Sequence, residues 1–227
     1  MSNLSGLKNV LKKVRADLAE KDALREKAHV SMRKATSLSK QTILLIHQKR
    51  LEDAKKSIEK AKKIIADLQD LADECPEIVY SGMFSTALQE YSEAYIFLKL
   101  IEESRFISPE EINVPSVDYV LGLADVVGEF RRRSLDALRE GDVDMGEECL
   151  QTMDEIFIEL MALDEAYMLV PGLRRKSDVA RRIIEATRGD ITQEVRRKSL
   201  EDYLRRFEQP KAKKSRLKKV RLRKAKQ

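Results

Sequence analysis

Residues 7–75 contain neither glycine nor proline. Backbone without either residue has no cheap way to turn sharply, and an unbroken run of that length is compatible with two long helices and little else. Within it Leu7, Val10, Leu11, Val14 and Leu18 recur at steps of three and four, and Ile43, Leu44 and Ile46 close what reads as one long first helix. A break is expected at Gln48 to Arg50. Leu51, Ala54, Ile58, Ala61, Ile64, Ile65, Leu68 and Leu71 then give a second amphipathic helix, stopped at Cys75-Pro76 because a residue before proline avoids the helical region.

The same punctuation divides the rest. A third helix begins near Ser81-Gly82 and ends before Ser108-Pro109-Glu110-Glu111, which has the form of a capping box with proline at the first helical position. After Val114-Pro115, Ser116 is placed to cap a fourth helix, and Gly141-Asp142 reads as a stop followed by a new N-cap. The fifth helix carries Cys149, Leu150, Met153, Ile156, Phe157, Leu160 and Met161, an apolar arc wide enough for a core or for an oligomer contact. Val170-Pro171-Gly172 breaks the chain, Leu173 to Arg188 forms a sixth helix, and Gly189-Asp190 repeats the stop-and-cap signal before a last helix to about Phe207. The expectation is an all-α fold of about seven helices, with residues 1–207 as the helical domain and 208–227 as a tail. A composition of 37% charged and 5% aromatic residues, with no tryptophan, agrees with long helices rather than sheets.

Four carboxylates stand out. Glu90 and Glu93 share one face of the third helix, and Asp125 and Glu129 share one face of the fourth at the i,i+4 spacing. Glu90, Glu93 and Asp125 have no lysine or arginine three or four positions away, whereas Glu129 has Arg132 and Arg133. Glu93 runs into Ala94-Tyr95-Ile96-Phe97-Leu98, and Asp125 lies inside Leu121-Gly122-Leu123-Ala124-Asp125-Val126-Val127. Acids leaning on apolar faces need a proton or a cation, and a hard divalent ion held by oxygen is the natural one. The alternative is that one or two of them are solvated positions at helix edges.

Charge is unevenly placed. The net charge is +5, yet Lys211 to Gln227 hold ten basic residues and no acid, which leaves residues 1–210 at −5. Such a run reads as a disordered arm that meets phosphates without reading sequence, or as a solubility tail. Cys75 and Cys149 are too few and too far apart for a zinc or redox motif, and no apolar run approaches the roughly 18 residues of a membrane span. A cytoplasmic protein with no membrane segment is therefore expected. His29 and His47 are the only histidines, which leaves no nucleophilic triad, and His47 beside its apolar run reads as a packed or capping residue.

Several stretches carry a resemblance when taken in order: Ser39 to His47, Leu88-Gln89-Glu90-Tyr91-Ser92-Glu93-Ala94, Tyr119 to Asp125 followed by Gly128-Glu129, Gly141-Asp142, Leu173-Arg174-Arg175-Lys176-Ser177-Asp178, and Arg188-Gly189-Asp190. Together they resemble the translin family, most closely its TRAX type and the archaeal relatives of that type, over roughly residues 20–207. The resemblance implies a seven-helix protomer that closes into a barrel-like homo-octamer around nucleic acid. It further implies a Mg2+-dependent endoribonuclease, with Mn2+ as a substitute, acting on single-stranded RNA and able to bind DNA. The family's acids fall on Glu90, Glu93, Asp125 and Glu129, as metal ligands or catalytic groups. Its basic residues facing the nucleic acid fall on Arg25, Lys27, Arg33 and Lys40 of the first helix. Two other readings stay open: a translin-like oligomer that binds RNA or DNA without cutting it, and an all-helical metal-binding regulator.

Overall fold

The structure, a computed structural model, describes residues 3–79, 82–163 and 167–208. Among the described residues there are helices and connecting turns but no strand. Six long helices carry the fold: α1 (Asn3–His47), α2 (Leu51–Glu74), α4 (Gly82–Glu103), α6 (Ser116–Glu140), α7 (Val143–Ala162) and α8 (Leu173–Glu208). Two single turns, α3 (Pro76–Val79) and α5 (Pro109–Ile112), bridge them. The basic run Lys211 to Gln227 lies outside the described residues.

The expected break after the first helix is made by Lys49, whose φ of 60° puts a non-glycine residue in the left-handed region. Back along the hairpin, Ala54, Ile58, Ala61, Ile65, Leu68 and Ala72 are all buried at alternating steps of four and three. This heptad stripe fits α2 lengthwise against α1, and Ser57 donates from its hydroxyl to the carbonyl of Leu38 at 3.0 Å. The first part of α1 has no such support. Leu7, Val10, Leu11, Val14 and Leu18 are 46–58% exposed, so the periodicity was real but it is not consumed by this chain's own core.

The helix at the centre is α4, which packs against α1, α2 and α6 and buries residues on every side, Tyr91, Ala94, Ile96 and Phe97 completely. Where α6 crosses it the backbones come very close. A Cβ at Gly122 would sit 2.7 Å from the carbonyl oxygen of Gln89 and from Cβ of Ser92, and 3.0 Å from the amide nitrogen of Glu93. Near the start of α6, buried Asp118 accepts from the Ser85 hydroxyl at 2.5 Å and from the Gln89 amide at 3.3 Å.

Cap chemistry matches the sequence signals at most ends. Ser108 and Glu111 form a full capping box, Gly141 terminates α6 with φ 84°, and the Asp142 carboxylate accepts from the amide of Met145 at 3.0 Å. Two expectations fail. Ser116 is already helical, and the cap position before α6 is held by Pro115 with no side-chain bond. Gly189-Asp190 does not break the chain either, since α8 runs through it without interruption. The reason is tertiary: Arg131 of α6 donates to the hydroxyl of Thr187 at 2.7 Å and to the carbonyl of Ile183 at 3.3 Å, and pairs with Asp190 at 3.3 Å. Those contacts clamp both sides of the glycine, so the aspartate is a partner for Arg131 rather than a cap. Because nothing lies within 4 Å of a Cβ built on Gly189, Gly189→Ala should raise stability by about 0.5–1 kcal/mol, read as a higher melting temperature.

Of the fifth sequence helix, now α7, Cys149, Met153, Ile156 and Leu160 are spent on the core. Ile158 and Met161 remain exposed.

Candidate functional site

Glu93 is the polar exception on α4. It is 8% exposed, and among the described residues its carboxyl makes no hydrogen bond and no ion pair. Burial is the main cause that pushes its pKa up to about 8, and the negative charges of Asp125, Glu129 and Glu90 add to it, with Lys176 pulling the other way. That list also locates the site. Four acids that are 39 residues apart along the chain at the extremes act on one another across the α4–α6 contact that Gly122 permits.

The other three acids each have a partner, and every one comes from another helix. Lys40 of α1 stands 3.1 Å from Glu90. Lys176 of α8 is paired with Asp125 and also donates to the carbonyl of Leu121 at 3.2 Å. His47 of α1 places Nε2 2.6 Å from Glu129 Oε2 and donates there when that nitrogen carries the proton. The imidazole lies against Phe97 at 5.3 Å between ring centres, and Phe97 meets Phe130 edge-on at 5.4 Å, so the ring that holds Glu129 is itself held by the core. The local neighbours Arg132 and Arg133 are not the partners of Glu129; Arg133 reaches the sulfur of Met145. No three His, Cys, Asp or Glu side chains among the described residues converge as a metal-ligand set.

The four predicted nucleic-acid cations divide. Arg33, Lys40 and His47 follow one another at steps of seven, which keeps them within about 20° of a common line along α1. Arg33 and Lys40 line one cleft of about 570 Å3 with Thr36, Gly82, Met83 and Thr86. Arg25 and Lys27 are exposed too, but sit roughly 80° and 120° around the helix from Arg33. The structure therefore joins Lys40 to the acids through Glu90, sets Arg33 beside it in the same cleft, and leaves Arg25 and Lys27 on other faces. His47 is packed, as its apolar run suggested, and its bond to Glu129 is the addition; the seven-residue step from Lys40 is the signal that places it on this line, whereas nothing local marks Lys176 within its basic trio.

Comparison with known proteins supplies the family. Residues 23–188 match the translin family. The chain belongs to the translin family. An uncharacterized protein of Methanocaldococcus jannaschii is 33% identical over 193 residues, covering 84% of this chain and 85% of that protein. The translin-associated protein X of Mus musculus is 26% identical over 166 residues, a match that takes in 55% of this chain and 57% of the mouse protein. Among solved structures, AfC3PO in complex with duplex RNA is similar with a TM-score of 0.72 and 34% identity over 81% of this chain and 95% of that one. The apo form of NeC3PO is similar with a TM-score of 0.69 and 25% identity over 86% of this chain and 98% of its own. The translin match spans every residue of the acidic site and the three partners of its acids, and it leaves outside it the exposed start of α1 and the last turns of α8. No helix among the described residues is long and apolar enough to cross a membrane.

Proposed function

We propose that this translin-family chain is a Mg2+-dependent endoribonuclease that cuts single-stranded RNA inside a closed homo-oligomer, most simply of eight copies. The observation that carries the reading is Glu93, a buried carboxyl without a cation of its own, facing three further carboxylates. Four carboxylates offer only oxygen donors, the ligand type a hard divalent ion takes, though they would have to close up around it and Glu93 would have to give up its proton. Glu90, Glu93 and Asp125 would hold the ion, with Glu129 as a fourth or water-positioning group. When bound, such an ion supplies a water of lowered pKa and stabilises charge on the phosphate.

The chain's own residues supply the remainder. His47 fixes the direction of Glu129, and the phenyl stack behind it keeps that direction from drifting. Arg33 shares a cleft suited to phosphates with Lys40, which itself reaches Glu90. Aromatic side chains close to the acids are few, so recognition through the backbone with little sequence preference is the expected mode. The similarity to an RNA-bound C3PO structure supports the nucleic-acid partner, and exposed Ile158 and Met161 on α7 are candidates for contacts between copies.

The test is incubation of the purified chain with a labelled single-stranded RNA in Mg2+, in Mn2+ and in EDTA, with light scattering on the same preparation. Cleavage confined to the metal-containing samples, by an assembly several times the 26.1 kDa chain mass, is the expected result. A second reading has one observation behind it, since Lys40, Lys176 and His47 already serve three of the four acids without any metal. RNA binding without cleavage in either metal would establish that binding-only reading, and DNA should then be tried beside RNA.

A further inference from the structure

Lys176 is unusual among the cations of the site. Its side chain is only 17% exposed, and its ammonium is committed to Asp125 and to the carbonyl of Leu121. Together with Asp125, Gly128, Arg175, Val179 and Ala180 it lines a cleft of about 200 Å3 between α6 and α8. Arg175 is exposed and has no ion pair among the described residues, and a Cβ built on Gly128 would meet nothing within 4 Å. A small cleft with one free guanidinium, one ammonium and an open floor is matched to a phosphate.

We infer that Lys176 is an RNA-phosphate contact held in reserve on Asp125: a divalent ion that takes the carboxylate releases the ammonium, which then receives a backbone phosphate in the α6–α8 cleft beside Arg175. The inference rests on the metal reading above. Its logic is charge balance. A partly buried ammonium stripped of its carboxylate is costly to leave alone, so occupation of the acids by a metal creates a site for an anion where none was open before. Metal and RNA then favour one another, and linkage makes the factor the same in both directions.

The test separates the two steps. Mg2+ is titrated calorimetrically into the full chain and into Lys176→Met, and binding of a labelled 2′-O-methyl oligonucleotide, which keeps the phosphates, is followed by anisotropy in Mg2+ and in EDTA. Wild type is expected to bind the oligonucleotide about tenfold more tightly in Mg2+ than in EDTA, within the usual range of coupling between two sites. Lys176→Met should take up Mg2+ at least as well while that ratio falls towards one, and Lys176→Arg should keep it. Asp125→Asn supplies an independent arm should Lys176→Met fail to fold. By freeing the ammonium it should raise the affinity in EDTA, and Asp125→Asn with Lys176→Met should lose that gain. A preserved ratio in Lys176→Met, loss of its Mg2+ uptake, or an unchanged EDTA affinity in Asp125→Asn overturns the inference. Absence of Mg2+ uptake by wild type would instead remove the metal reading, and the inference with it.

Discussion

Glu93→Gln is expected to abolish Mg2+-dependent cleavage while making the metal-free protein more stable. The amide keeps the size and shape of the acid but not the charge that would draw the ion. Several kcal/mol of charge stabilisation correspond to a loss of about a thousandfold in rate. The gain in stability follows from linkage. Glu93 has a folded pKa of about 8 against 4.5 when unperturbed, so between those values the native state holds a proton that the unfolded chain has lost. Stability of the metal-free wild type must then fall as pH rises from about 4.5 to about 8, by on the order of a few kcal/mol, and level off above. Glutamine has nothing to titrate, so the variant should lack that slope and exceed wild type most at alkaline pH. Thermal melts in EDTA across this window provide the measurement. Parallel slopes in the two proteins would show that Glu93 is not held in a strained, buried state. Full cleavage by Glu90→Gln, Glu93→Gln would discard the catalytic assignment altogether.

Gly122→Ala is expected to damage stability and activity together, although alanine is the better helix former. The helix gains up to about 1 kcal/mol from the exchange, whereas forcing a methyl group against the Gln89 carbonyl and Ser92 costs more, leaving a net loss of about 1–3 kcal/mol. The contacting atoms are mostly backbone, so α4 and α6 must separate, and separation moves Glu93 away from Asp125. Gly128→Ala, six residues on in the same helix, is the control. Nothing lies within 4 Å of its added Cβ, so its melting temperature should hold or rise. Equal behaviour of the two variants would mean that the close crossing does not set the site.

Helix content and order were legible because the chain marks its own joints. Glycine, proline and capping residues fell where α2, α5, α6 and α7 begin or end, and heptad spacing gave the face that α2 buries. The failure at Gly189 has a distant cause. Gly189 carries a local signal for a stop, but Arg131, 59 residues before Asp190, overrules it, and no local pattern reports a contact so distant. The same holds for the site. Glu90, Glu93 and Asp125 were visible because their own helices offered them no cation; the partners the acids take were invisible because Lys40, His47 and Lys176 lie 50, 82 and 51 residues from Glu90, Glu129 and Asp125. The outward-facing apolar stripe at the start of α1 shows the converse error, a periodicity that is sound yet says nothing of which chain covers it.

The uninterrupted course of α8 has a mechanical consequence. From Lys176 to Glu208 the helix forms a rod of about 48 Å, and the basic run begins within a few residues of its end. A hinge at Gly189 would have absorbed any tug at that end. A rod held on α6 by Arg131 and by the buried Leu173, Ala180 and Ile184 instead carries its far end on a set bearing, so the point at which the chain leaves the helix at Glu208 is fixed by the α6–α8 contact.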